Sequence, residues 1–448
     1  MRPVLLQGGW VVDPASEREE LADVLLREGC VAAVGRGLGT PDDALVIDCR
    51  GKVVAPGLID LHCHLRDPGL TEKETIATGT AAAAAGGFTT VCCMPNTDPV
   101  VDSGSVVETI LRTAAREGSV RVLPIGAVTK GQAGRELAEL ADLAAAGAVA
   151  FSDDGRPVAS AALLRHALEY SQLVQRPIID HCEEPSLTVG AVAHEGPVAT
   201  CLGLRGWPAA AETIAIARDL ELAALTGGRL HIAHVSTAGG VALIREAKRR
   251  GLPVTAEVTP HHLTLTDEWL LGEGLHWPAL GGEPLPRRAP YDPRTKVNPP
   301  LRGREDVAAL IAALADGTID AIATDHAPHT LTDKLCEYDQ AAFGISGLET
   351  ALAAVLALVR SGALSLRRVI AAFTIGPRQV LGEGARAASP GRLAPGDPAD
   401  VVVFDPDASW VVDPHAFRSK GQNTPLAGVR LQGRVTHTFV AGRGVYGE

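Results

Sequence analysis

Residues 57–69 read GLIDLHCHLRDPG. A short apolar run holds His62 and His64 two positions apart and breaks at once into arginine, proline and glycine. Residues two apart on a strand point the same way, so both imidazoles face one side and Cys63 faces the other. A single strand histidine is ordinarily a hydrogen-bonded core or surface residue. Two in phase at the C-terminal end of a strand point toward a metal ion. The same run opens a rhythm: short β-branched runs alternate with alanine-rich amphipathic runs, with glycine or proline between them. Strands are expected at Leu58–Leu65, Thr89–Met94, Val120–Val128, Ala148–Ser152, Pro177–His181, Leu230–Val235, Val254–Val258 and Ala321–Thr324. Stretches such as KETIATGTAAAAAGG, SAALLRHALEYSQLV and REDVAALIAALADG supply the helices between them. Eight strands alternating with helices predict an α/β protein built on a TIM-type (β/α)8 barrel, with an open doubly wound sheet as the alternative.

Outside this rhythm the two chain ends read alike. VLLQGGWVVDP and DVLLREGCVAAVG near the start, and GDPADVVVFDPDASWVV and GRVTHTFVAGRGVY near the finish, are short strands with turn signals and little helix. The expected division is a barrel over residues 57–384 and a small composite β-sandwich from residues 1–56 and 385–448. Two long segments interrupt the barrel rhythm, one from about Pro260 to Pro300 and one after Asp325. Both follow the C-terminal end of an expected strand, which in a barrel is the active-site face. The stretch 273–295 is longer than the pattern requires, and bears on how the mouth closes.

The bulk numbers exclude several classes of function. The 448 residues are 46% hydrophobic, enough for a large core. A formal net charge of −12 and no basic block make nucleic acid an unsuitable partner. No stretch is long and apolar enough to span a bilayer, and the N-terminus lacks the layout of an export signal. The eight cysteines form no CxxC pair, and Cys92 and Cys93 are adjacent. The expected compartment is therefore the reducing cytoplasm.

The other strand ends complete what His62 and His64 begin. AVAFSDDG ends in Asp153 and Asp154, PIIDHCEE contains His181, LHIAHVST contains His234, and AIATDHAPH contains Asp325, His326 and His329. Barrel closure gathers these ends around one mouth. Four histidines and two carboxylates suffice for two borderline divalent ions, with Zn²⁺ the best match. Because neighbours on a strand alternate, only one of Asp153 and Asp154 can face the axis. His231 is out of phase with His234 and reads as a packed second-layer residue. His261, His262 and His326 read as loop residues or partners of ligands. His166, His194, His276, His415 and His437 read as structural or surface residues.

DLHCHLRDPG and ATDHAPHTLTDK resemble the two signature segments of dihydroorotases in the cyclic amidohydrolase superfamily. CCMPNT, FSDDG, DHCE, HIAHVST, TPHH, KVNPPLR and FGISGLET extend the resemblance over essentially the whole chain. Its length and terminal β pieces are similar to the longer bacterial class. The resemblance implies reversible hydrolysis of (S)-dihydroorotate to N-carbamoyl-L-aspartate, a step of pyrimidine synthesis. It implies two zinc ions held by His62, His64, His181, His234 and Asp325, bridged by a hydroxide and by Asp153, which the family match selects over Asp154. Many superfamily members bridge their metals with a carboxylated lysine, but the fourth-strand segment here has none. The resemblance makes Asp325 a metal ligand and the catalytic proton carrier. It assigns substrate contacts to His64, Arg66, Asn96, Asn298 and His329, and to the backbone of Phe343 and Gly344. Arg66 suits a carboxylate on its own chemistry, through a bidentate fork. The expected assembly is a homodimer, with aspartate transcarbamoylase as a candidate partner. Two alternatives stand beside this reading: a related hydantoinase or allantoinase, and a non-catalytic chain that scaffolds the transcarbamoylase.

Overall fold

The computed structural model describes residues 2–272, 285–286, 288–382 and 389–447. His276, most of the 273–295 segment and the expected domain boundary at 385 lie outside the described residues.

The N-terminal strands are β1 (Val4–Asp13), β2 (Arg18–Arg27), β3 (Cys30–Gly35), β4 (Leu45–Asp48) and β5 (Val53–Pro56). A register shift between Leu6 and Gly9 divides β1. Val4–Gln7 pair with β4, while Trp10 and Val11 pair with β5. At the far end of the chain, β16 (Val401–Val411), β17 (Arg430–Val440) and β18 (Arg443–Tyr446) form an antiparallel meander. Antiparallel pairing of β16 with β5 joins the two ends. The result is one eight-stranded mixed sheet, in the order β18-β17-β16-β5-β1-β2-β3 with β4 beside β1. It wraps a core that includes Leu6, Val24, Val54, Val401 and Phe439, drawn from both ends of the chain.

The second eight-stranded sheet is parallel and runs in sequence order. It comprises β6 (Leu58–Cys63), β7 (Phe88–Cys93), β8 (Arg121–Gly126), β9 (Ala150–Phe151), β10 (Ile178–Asp180), β13 (Leu230–Ile232), β14 (Val254–Val258) and β15 (Ala321–Ile322). A separate two-stranded ribbon, β11 (Ala193–His194) and β12 (Gly206–Trp207), lies in the loop after β10. Helices α1 (Ile76–Ala85), α2 (Gly104–Glu117), α3 (Leu140–Ala146), α4 (Ala161–Val174), α6 (Ala210–Thr226), α7 (Ala238–Arg249) and α9 (Arg304–Asp316) connect the strands; α5 (Pro197–Leu202) and α8 (Pro260–Thr264) are short loop helices. The alanine run of α1 starts where the sequence supplies a cap: Thr75 accepts the N–H of Thr78 through its side chain.

The barrel closes between its first and last strands. The amide and hydroxyl of Thr324 both donate to the buried carboxylate of Asp60, at 2.8 and 2.6 Å. The amide of His64 donates to the His326 carbonyl at 2.8 Å. Leu61, Cys92, Ile125, Ile179 and Ala323 pack together, with Val380 and Leu381 in the same cluster. Those two residues belong to the last of four further helices, α10 (Leu331–Lys334), α11 (Ala351–Arg360), α12 (Leu366–Phe373) and α13 (Ile375–Leu381). Arg229, just before β13, donates to the Val380 carbonyl, which sets α13 against the N-terminal strand ends. The open end is therefore the C-terminal face.

Six of the eight barrel strands are shorter than the sequence suggests. β9 stops at Phe151 and β15 at Ile322. His64, Asp154, His181, His234 and Asp325 all lie just beyond strand ends. No helix among the described residues is long and apolar enough to cross a membrane.

Candidate active site

Three residues at the mouth hold left-handed backbone conformations: Arg66 (φ 59°), His234 (φ 30°) and Asp325 (φ 44°). Such conformations cost about 1–3 kcal/mol for residues other than glycine and persist where the surroundings over-determine them. Each turns its chain out of a strand just where a polar side chain meets the barrel axis. Pleat alternation ends at those points.

His62, His64, His181, His234 and Asp325 come together as expected. His64 Nε2 lies 3.1 Å from Asp325 Oδ1, and His62 Nε2 lies 3.6 Å from the same oxygen. His181 Nδ1 lies 2.9 Å from His234 Nε2. The carboxylate at the centre of the cluster is Asp154. Its Oδ1 is 3.4 Å from His62 Nε2, 3.4 Å from His181 Nδ1 and 3.3 Å from His234 Nε2, and its Oδ2 is 3.5 Å from His64 Nε2. Asp153, expected as the bridge, turns away. It accepts the amides of Val128 and Thr129 at 2.8 and 3.1 Å, together with the Thr129 hydroxyl. The physical reason is the early end of β9: both aspartates lie in a turn, where the first finds backbone donors and the second reaches the axis.

Two of the three buried triads whose ligand atoms lie within 4.8 Å of one another among the described residues belong to this cluster: His62, His64 and Asp325, and His62, Asp154 and His234. His62 Nε2 is buried without a hydrogen-bond partner, a cost of about 1–3 kcal/mol that a cation on that atom would remove. Burial would raise both carboxylates, yet the surrounding imidazoles hold Asp154 and Asp325 well below the usual carboxylate range. Burial likewise disfavours a charged His181, but Asp154 and Glu183 push it up to about 10. Six buried N and O donors of this kind, with an orphaned imidazole nitrogen among them, fit a borderline divalent metal.

A layer lies beneath these residues, in which His231 was expected and Glu257 escaped the sequence reading. His62 Nδ1 donates to Glu257 Oε1 at 2.9 Å, and Glu257 Oε2 takes His231 Nε2 at 3.1 Å. All three are fully buried. His231 is thus a second-layer residue, held in turn by Thr255 at 2.8 Å. The available signal was an acid in the middle of VTAEV, a strand otherwise free of charge. Glu183 is a second omission: it accepts His181 Nε2 at 3.0 Å and Asn298 Nδ2 at 3.2 Å. His261 and His262, read as loop residues or partners of ligands, are buried in α8, and His261 Nε2 has no hydrogen-bond partner.

The expected substrate contacts surround the cluster. Asn96 Oδ1 accepts His64 Nδ1 at 2.8 Å. Arg66 is buried, with its guanidinium 3.4 Å from His329 Nε2. Asn298 Oδ1 is buried and unpartnered. The Phe343 carbonyl accepts His329 Nε2 at 2.8 Å, and the Gly344 amide donates to the Lys296 carbonyl at 2.9 Å. Gly344 has φ 145°, and a Cβ there would meet the Ala327 carbonyl oxygen at 2.6 Å, so only glycine fits. A cavity of about 950 Å³ opens beside this group, lined by Trp207, Lys296, Tyr338 and Phe343 among others.

Comparison with known proteins adds an independent line. Residues 51–239 match the family model described as dihydro-orotase-like. A dihydroorotase of Anaeromyxobacter dehalogenans is 53% identical over 99% of this chain and 98% of its own length. One of Pelotomaculum thermopropionicum is 52% identical over 98% and 97%. Among solved structures, the L-hydantoinase (dihydropyrimidinase) of Arthrobacter aurescens is 27% identical, covers 100% of this chain and 97% of its own, and superposes with a TM-score of 0.85. The dihydropyrimidinase of Brevibacillus agri, at 23% identity and a TM-score of 0.81, shares the fold.

Proposed function

The chain belongs to the dihydroorotase family of cyclic amidohydrolases, and from that premise we propose that it interconverts (S)-dihydroorotate and N-carbamoyl-L-aspartate at the barrel mouth, in the cytoplasmic synthesis of pyrimidines. The observation that carries the site assignment is the convergence of His62, His64, Asp154, His181, His234 and Asp325 on one buried point. These residues would hold two zinc ions, with the Asp154 carboxylate at the centre of the set. Such ions, when bound, supply Lewis acidity toward a water molecule and toward the ring carbonyl.

The chain's own residues do the rest. Asp325, fixed against His64 and ionised, takes the proton that the attacking water loses and delivers it to the ring nitrogen as the amide C–N bond breaks. In the synthetic direction it removes that proton. Arg66 receives the substrate carboxylate through its guanidinium fork, with His329 beside it. Asn96 and Asn298 offer amide groups to the ring, Asn298 through an oxygen that has no other partner. The Phe343–Gly344 backbone forms the wall next to His329.

Hydantoin opening is the rival reaction, since the hydantoinases share the fold. The absence of a fourth-strand lysine and the presence of Arg66 favour dihydroorotate. Turnover of dihydroorotate and of hydantoin, each with and without chelator, decides between them. Chelator-sensitive opening of dihydroorotate is expected; opening of hydantoin alone would refute the proposal. Asp325→Asn should keep the fold, by circular dichroism, and lose at least about 100-fold in kcat. A scaffold role is disfavoured because all six ligand positions are filled, and stoichiometric zinc in the purified protein would exclude it. The homodimer and a transcarbamoylase partner belong to the proposal and are open to sedimentation analysis.

A further inference from the structure

Between β16 and β17 the chain leaves the terminal sheet, and residues 418–424 cross to the barrel mouth before it returns. The crossing is tied down along its length. Glu349 accepts the amides of Arg418 and Ser419, at 2.8 and 3.2 Å. The Ser419 hydroxyl and the Lys420 amide donate to the buried carboxylate of Glu74, in the loop after β6. At Gly421 a Cβ would meet Pro328 and Ser346 at 2.4 Å, so the backbone lies directly on the loop after β15.

Asn423 ends this crossing, and its side chain is 4% exposed. Its amide nitrogen donates to the Ala327 and Gly344 carbonyls, both at 3.0 Å. Its amide oxygen accepts the His329 amide at 3.0 Å and the Ser346 hydroxyl at 2.8 Å. Both donors and both lone pairs are therefore used. The Asn423 carbonyl accepts the Ser346 amide at 3.0 Å as a fifth bond. The two stretches so joined, 327–329 and 344–346, flank the position of Arg66, whose Nε donates to the Pro328 carbonyl at 3.3 Å.

We infer that Asn423 is a positioning residue for substrate: it sets the spacing of the His329 and Phe343–Gly344 stretches, and so the shape of the subsite that takes the ring and its carboxylate. The inference rests on the proposed dihydroorotase reading for its ligand, but not for its mechanics. Asn423 touches no metal ligand among the bonds described, so its influence falls on substrate binding and leaves the metal centre alone. A neighbour that merely filled space would need neither four correctly paired amide bonds nor their convergence on residues from two separate stretches of one loop.

Asn423→Asp keeps the size of the side chain but removes both donors and turns a carboxylate oxygen toward the two carbonyls. The expected result is a 10- to 100-fold rise in KM for dihydroorotate, with kcat within about threefold of the parent and zinc content unchanged. Ser346→Ala removes a single bond and should raise KM two- to fivefold; it serves if the first variant does not fold. A KM within twofold of the parent in folded Asn423→Asp, or parallel loss of kcat and zinc, overturns the inference. Amide exchange followed by mass spectrometry separates this failure from failure of the reading beneath it. The peptide spanning 326–346 should exchange at least tenfold faster in either variant than in the parent, whatever substrate the protein turns over, and unchanged exchange also overturns it.

Discussion

Asp154 and Asp153 are chemically identical neighbours with opposite duties. Asp154→Asn should abolish both zinc retention and turnover, because its oxygens lie within 3.5 Å of four imidazole nitrogens. Asp153→Asn should keep zinc, most of the activity and the fold, because an amide oxygen can still accept the Val128 and Thr129 amides. Metal analysis and thermal melting on the pair check both. Glu257 answers to a different measurement. By fixing His62 Nδ1 as the donor it leaves Nε2 free to face the site. Glu257→Ala should weaken zinc retention 10- to 100-fold in chelator competition while the fold survives. At this scale the sequence was informative about residue type and poor about direction. The histidines could be picked out because two-residue spacing and strand-end position are written in the chain. The choice between adjacent aspartates was not, because it depends on where β9 stops, and only contacts with Val128 and Thr129 reveal that. Glu257 was hidden because its partners, His62 and His231, lie on other strands.

At the level of elements, the alternation of strand and helix was legible from periodicity alone, and Val254–Val258 falls where it was expected. β7 is displaced by one residue, and the other six strands are shorter because their last residues abandon pairing to point into the mouth, as the positive φ values of His234 and Asp325 make plain. The packing of the 418–424 crossing was invisible in sequence, since a polar stretch such as RSKGQNT reads as an ordinary surface loop. Glu349, which receives two amides of that crossing, is pushed up to about 7 by burial. A carboxyl whose folded pKa lies above its ordinary 4.5 favours the fold most at low pH. That contribution is lost as pH rises from about 4.5 through 7. Glu349→Gln retains an acceptor for both amides without the charge. It should be more stable than the parent at pH 8, by on the order of 1–2 kcal/mol, and the advantage should shrink toward pH 5 in denaturant titrations.

For the whole molecule, the pairing of β5 with β16 merges the strands of both chain ends into one sheet. The barrel's first strand follows β5 after Gly57 alone, and β5 lies between β1 and β16. Arg121 at the start of β8 pairs with the buried carboxylate of Asp400, whose other oxygen accepts the Ala441 amide at 2.8 Å. Removal of residues 401–447 would expose the edge of β5 and the apolar faces of Val54 and Leu6. The truncated chain should be recovered as aggregate, or as a species with lost near-ultraviolet dichroism, and not as a folded barrel with weakened activity. The sequence suggested this composite unit from the similar patterning of both ends. It did not reveal that β5 and β16 are hydrogen-bonded partners, because pairing across some 345 positions leaves no local trace.

That long-range pairing also sets a timetable. A ribosome adds roughly 5–20 residues each second, so β5 leaves the exit tunnel some tens of seconds before β16 exists to cover it. Through that interval the barrel helices can form and associate, while an unprotected strand edge waits beside them. Nascent chains stalled before residue 401 should therefore be the ones that recruit chaperones, and release from that dependence should coincide with emergence of the C-terminal meander.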